Sequence, residues 1–79
     1  MFELTLYSRP GCHLCDDMAT ALLPLLRPAG HTLQTVDIDT DPDLQHRYGW
    51  RIPVLVLDGE VICEGRLDED AVRDALGRQ

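Results

Sequence analysis

Lysine is absent from this 79-residue sequence, and seven arginines face fourteen aspartates and glutamates, for a net charge of −7. A chain so short of cations has no basic patch to hold a phosphate backbone or an anionic lipid surface. Nucleic acid and membrane are therefore not expected partners. The acidic surplus has two readings, a solvated surface or long-range steering toward basic partners. Long apolar runs are also missing, and none approaches the roughly 18 residues of a membrane span. The opening residues lack a basic segment followed by an apolar one, so no secretory signal is expected and the expected location is cytoplasmic. Cysteine is scarce. Three residues are too few, and odd in number, for the disulfide framework of a secreted scaffold, whereas a close pair in a reducing compartment points to redox or metal chemistry.

What is present suits a folded protein. An apolar content of 44% is that of a globular chain, and residues 1–79 are expected to form one domain, near the lower limit for an unstapled core. Phe2 to Tyr7 alternates and is rich in β-formers, predicting a strand, and Ser8-Arg9-Pro10-Gly11 breaks it. From Cys12 to about Leu26, the apolar positions Leu14, Met18, Leu22 and Leu25 recur at helical spacing. Pro24 is expected to kink the last turn or end regular bonding early. Thr32 to Ile38 predicts a second strand. Thr40-Asp41-Pro42-Asp43 is a helix start, running to Tyr48 with Gly49 as the stop. Pro53 to Leu57 is a continuous apolar strand, and Asp58-Gly59 is a two-residue hairpin turn into Glu60-Val61-Ile62-Cys63. Asp68-Glu69-Asp70 opens a last helix. The order is β-α-β-α-β-β-α, an α/β fold. A parallel pair joined by a right-handed crossover plus an antiparallel hairpin makes a four-stranded mixed sheet with helices on both faces.

The pair Cys12 and Cys15 carries the candidate chemistry. Cys-x-x-Cys alone also suits a zinc half-site. Here Cys12 falls where a loop becomes a helix, near unsatisfied N–H groups and the positive dipole end, and both favour thiolate. Arg9 is close enough in sequence to help. Cys15 lies on the same helical face at a separation compatible with a disulfide. Asp16 and Asp17 oppose the thiolate electrostatically, or serve simply as first-turn helix acids. His13, between the two sulfurs, either tunes the thiolate or is an exposed spacer.

The segment Tyr7-Ser8-Arg9-Pro10-Gly11-Cys12-His13-Leu14-Cys15 resembles the glutaredoxin-like proteins of the thioredoxin-fold superfamily, most closely the small bacterial glutaredoxin-like family of unassigned substrate. A second matching segment is Tyr48-Gly49-Trp50-Arg51-Ile52-Pro53-Val54. The resemblance spans nearly the whole chain. It implies a thioredoxin fold and a thiol–disulfide oxidoreductase in which Cys12 attacks and Cys15 resolves. Pro53 would be a cis-proline beside the site, and Ile52 would offer backbone hydrogen bonds to a bound peptide or thiol. Arg9, Arg51, Ile52, Pro53 and Glu64 would bind substrate. The implied partners are a disulfide-containing protein or low-molecular-weight thiol, with a reductase or glutathione as electron donor, acting on a monomer without a resident cofactor or metal. Glutathione is the candidate co-substrate, but glutathione-using members carry a glycine pair where this sequence has Cys63-Glu64. A carboxylate there is expected to repel an anionic tripeptide.

The alternative function is a metal or iron–sulfur binder using Cys12, Cys15 and a third ligand, Cys63 or a histidine. If Asp58-Gly59 is a two-residue turn, Leu57 pairs with Glu60, Val54 with Cys63 and Pro53 with Glu64. That register brings Cys63 and Glu64 to the dithiol. Cys63 is then a small buried hydrophobe or a third thiol within reach. His31 and His46 read as isolated side chains. Trp50 reads as packing, or as the lining of a groove beside Pro53.

Overall fold

The computed structural model describes residues 2–78. Its elements are strand β1 (Glu3–Ser8), helix α1 (His13–Leu26), strand β2 (Thr32–Asp37), helix α2 (Pro42–Tyr48), strands β3 (Val54–Leu57) and β4 (Glu60–Glu64), and helix α3 (Glu69–Arg78). Short 3₁₀ turns at Arg27–Ala29 and Ile38–Thr40 follow α1 and β2. The four strands lie in the order β2-β1-β3-β4. β1 pairs parallel with β2 and antiparallel with β3, and β3 pairs antiparallel with β4. The expected β-α-β-α-β-β-α mixed sheet is what forms.

β3 explains why its apolar run is unbroken. Alternate residues point to opposite faces, and both faces are covered. Leu55 and Leu57 join Leu4 and Leu6 of β1 against Met18, Leu22 and Leu26 of α1 and Val72 and Ala75 of α3. Val54 and Val56 pack on the other face with Ile38 and with Tyr48 of α2. Each fully buried leucine in such a layer contributes roughly 1.5–3 kcal/mol of transfer free energy.

Several local expectations are corrected. The buried stripe of α1 runs through Cys15, Met18, Leu22 and Leu26, with Leu25 half-buried against the same cluster; Leu14 is not part of it, because the helix starts at His13 and turns Leu14 outward to 60% exposure. Pro24 does not end the helix: the Arg27 N–H still bonds the Leu23 carbonyl. Pro24 and Thr20 are both exposed, so the carbonyl four residues before the proline can bond water instead. Ile38 leaves β2 for the 3₁₀ turn, where Asp37 Oδ1 accepts from the Asp39 N–H at 2.8 Å. Asp41 caps α2 by accepting from the Asp43 N–H. Gly49 does stop α2, but with right-handed φ of −53°. Its requirement is closeness, since a Cβ there would lie 2.5 Å from the Gln45 carbonyl oxygen.

The hairpin register also departs from expectation. Asp58 and Gly59 both have positive φ, as a two-residue turn of the expected kind demands. Leu57 pairs with Glu60 and Val56 with Val61, but Leu55 then pairs with Cys63 and Val54 with Glu64. Ile62 is an extra residue in β4, a bulge. A slip of one residue exchanges faces, so Cys63 joins Ile62 against the α1/α3 cluster rather than lying opposite Val54.

Candidate active site

The dithiol forms where β1 feeds α1. After Ser8 the chain turns tightly, with the Cys12 N–H bonding the Arg9 carbonyl at 3.2 Å. Gly11 takes φ +78°, and nothing lies within 4 Å of where its Cβ would be. Glycine is therefore needed there for backbone conformation rather than for space. Cys12 is the N-cap of α1, extended at φ −90° and ψ 103°, and its sulfur accepts from the Cys15 N–H at 3.1 Å. The sulfur thus fills the role an oxygen usually takes at a helix start, in contact with an otherwise unsatisfied donor. Cys12 and Cys15 are joined as a disulfide with Cα atoms 5.2 Å apart. Cys15 is 2% exposed, whereas Cys12 is half-buried. His13, Asp16 and Asp17 are exposed, and Asp16 is a first-turn helix acid.

The second segment meets this one through the end of β3. The Ile52–Pro53 peptide bond is cis, as the resemblance implies, and Pro53 is buried. The Arg51 and Ile52 N–H groups both bond the Tyr48 carbonyl, at 2.8 and 3.0 Å. The N–H of Ile52, expected to be open to a bound partner, is therefore already engaged inside the fold. The Pro53 carbonyl in turn accepts from the Gly65 N–H at 2.8 Å, which brings the end of β4 beside it.

The two arginines are both occupied. Arg9 Nε donates to Asp39 Oδ1 at 2.9 Å, and Gln45 Nε2 donates to the same oxygen at 3.2 Å. Arg51 donates through Nε (2.9 Å) and Nη2 (2.5 Å) to one oxygen, Oε2, of Glu64. The hydrogen bond to Glu64 raises the Arg51 pKa above its ordinary value, outweighing desolvation. Its guanidinium also sits 5.4 Å from the Tyr48 ring centre, and that ring stacks on Tyr7 at 4.5 Å. Glu64 is thus near Pro53 as expected, but as half of an ion pair and not as a lone charge.

Cys63 is free and half-buried. Burial pushes its thiol pKa up, with a backbone hydrogen bond from Asp68 acting in the opposite direction. It packs on the α1/α3 cluster, which fits the buried-hydrophobe reading. Among the described residues, no group of three or more His, Cys, Asp or Glu side chains converges as a metal site. The third ligand that the alternative function needs does not assemble there. His31 accepts from the Phe2 N–H at 2.9 Å and stacks on its ring. No helix among the described residues is long and apolar enough to cross a membrane.

The residue not foreseen as a site neighbour is Asp39, which holds Arg9 across the fold and leaves no local pattern; Tyr48, the first residue of the second matching segment, supports Arg51. Trp50 packs on neither core cluster and is fully exposed at 101%.

A cysteine pair at a helix start, with a cis-proline leading into an interior strand of this mixed sheet, defines a protein of the thioredoxin-fold class. The family model "Glutaredoxin-like domain (DUF836)" matches residues 3–77, and the chain belongs to that family. It is 31% identical to the uncharacterized protein Rv0508 of Mycobacterium tuberculosis, over 96% of this chain and 84% of the relative. A glutaredoxin-like protein of Dictyostelium discoideum is 29% identical over 86% of this chain and 68% of its own. Among solved structures, protein Ne2328 of Nitrosomonas europaea superposes with a TM-score of 0.85 at 32% identity, covering 94% of this chain and 89% of that one. Protein XcR50 of X. campestris gives 0.76 at 35%, covering 96% and 97%. A mutant thioredoxin of Halobacterium salinarum gives 0.64 at 28%, covering 96% and 72%.

Proposed function

We propose that this chain is a dithiol–disulfide oxidoreductase that reduces protein or small-molecule disulfides through Cys12 and Cys15. The observation that carries the reading is the asymmetry of the bonded pair: the more accessible sulfur caps a helix and its partner is buried one turn in. When the pair is reduced, the helix start favours the Cys12 thiolate. That thiolate attacks one sulfur of a substrate disulfide, forming a mixed disulfide and releasing one substrate thiolate. Cys15 gives up its proton and attacks Cys12 Sγ, releasing the second substrate thiol and restoring the Cys12–Cys15 bond. Two electrons pass to the substrate, and a reductase or glutathione returns them. A cytoplasmic setting fits, because thiols there are kept reduced. The family match and the likeness to a thioredoxin support the same chemistry.

The test is a redox titration against dithiothreitol followed by thiol trapping. A reversible two-electron couple confined to Cys12 and Cys15 is expected. Cys15→Ser should accumulate mixed disulfides with its substrates, and Cys12→Ser should form none. A pair that cannot be cycled between dithiol and disulfide would end this reading.

A further inference from the structure

Arg9 is the arginine nearest Cys12 in the sequence, and the fold ties its side chain elsewhere. Its carbonyl accepts the Cys12 N–H at 3.2 Å. A turn closed in that way keeps the two Cα atoms within about 7 Å, inside the reach of an arginine side chain. An unrestrained guanidinium there can approach the Cys12 sulfur and favour its thiolate. Instead Arg9 Nε donates at 2.9 Å to Oδ1 of Asp39, in the 3₁₀ turn that follows β2.

Asp39 is itself held in place. Its N–H donates to Asp37 Oδ1 at 2.8 Å, and Thr40 Oγ1 donates to the Asp37 carbonyl at 2.7 Å. Gln45 Nε2 of α2 donates to the same Asp39 Oδ1 at 3.2 Å and to the Asp39 carbonyl at 3.4 Å. One carboxylate oxygen thus joins the loop before Cys12 to α2 and to the end of β2. Packing leaves Arg9 room to move, since it borders a hollow of about 180 Å³ with Gln45, Gly49 and Trp50. The two side chains of the pair are 39% and 41% exposed.

The other charges around the dithiol have their own settings. His13, Asp16 and Asp17 are exposed on α1, Arg66 shares a hollow with Leu14 and Asp17, and Arg51 is bound to Glu64.

We infer that Asp39 is a positioning residue for the dithiol: it commits the Arg9 charge to the α2 side, so that the Cys12 thiolate is less favoured and the Cys12–Cys15 disulfide more stable than a free Arg9 would allow. A stabilised thiolate favours dithiol over disulfide, so the two effects move together. The inference rests on the redox reading above and concerns the tuning of that same pair.

The experiment compares four full-length proteins: the natural chain, Asp39→Asn, Arg9→Gln and the double variant. Two quantities are read. One is the rate of Cys12 alkylation by iodoacetamide in the reduced protein across a pH series, followed by mass spectrometry. The other is the equilibrium constant of the disulfide against dithiothreitol. Asp39→Asn keeps the size of an exposed side chain and removes its charge. It should raise the Cys12 alkylation rate about threefold on the acid side of the profile, and shift the equilibrium about threefold toward the dithiol, the scale of one exposed charge contact. Both gaps should narrow as salt is added. Arg9→Gln should be no faster than the natural chain, and adding Asp39→Asn to it should change neither quantity, because Asp39 acts through Arg9. An Asp39→Asn protein that matches the natural chain overturns the inference. So does an acceleration that persists without Arg9, or one that salt leaves unchanged. Alkylation needs no redox cycling, which separates the two claims. If Asp39→Asn speeds labelling in a chain whose pair cannot be cycled, the redox reading falls and the role of Asp39 toward Cys12 stands.

Discussion

Arg51 reaches across Pro53 to Glu64, placing two donors on one carboxylate oxygen while its guanidinium lies over Tyr48. The pair removes from the site both the cation that would attract an anionic thiol and the free anion that would repel one. Replacing Glu64 by glycine should release Arg51 and raise kcat/KM for glutathione-coupled turnover several-fold, on the order of one charge–charge contact at a rim. A glutathione-coupled reduction assay on both proteins checks this. Strong activity in the natural chain that the substitution leaves untouched would show that Glu64 does not guard the site. Exchanging Cys63 and Glu64 together for glycines is a less clean test, because Cys63 belongs to the packed layer.

Alkylation should separate the three sulfurs. In the reduced protein, Cys12 should react with iodoacetamide fastest near neutral pH, since a helix-start thiol falls below the roughly 8.5 of a free one. Cys63, whose thiol burial holds above its ordinary pKa, has less thiolate at any given pH and should react slowly. Mass spectrometry after short labelling reads the order directly. Labelling of Cys15 or Cys63 ahead of Cys12 would reassign the nucleophile.

Cys63→Ala should keep the two-electron couple of the other pair, as measured by redox titration. Loss of that couple in a folded variant would mean the third thiol takes part after all.

Gly49→Ala should destabilise the chain by about 1–3 kcal/mol, the usual cost of forced overpacking. A methyl group there meets a backbone oxygen at 2.5 Å, which has no flexible side chain to yield. Urea denaturation of both proteins gives the difference. A variant as stable as the parent would mean that α2 shifts freely at its C-terminal end.

Legibility from sequence follows range. The elements, the Asp58-Gly59 turn and the placement of the dithiol at a helix start depend on neighbours within a few residues, and those patterns suffice. The face of α1 is harder to read because Leu14 and Cys15 are both apolar and adjacent, so spacing alone does not say which one turns inward. The bulge at Ile62 contains no glycine or proline to mark it, and only the covered faces of β3 and β4 decide it. The pairing of Arg51 with Glu64, and of Arg9 with Asp39, spans 13 and 30 residues. Either arginine could meet several acids until the sheet fixes its neighbours.

The one-residue bulge in β4 works as insulation. A protein that hands electrons between two sulfurs is vulnerable to a third, which can divert the mixed disulfide into a dead end. Here the extra residue rotates Cys63 into an oily layer, where burial holds its thiol pKa up against the opposing pull of the Asp68 backbone hydrogen bond. A protonated sulfur is a poor nucleophile. The spare cysteine can therefore be carried without leaking current from the pair that does the exchange, whereas the same residues paired without the bulge would set Cys63 opposite Val54, on the other face.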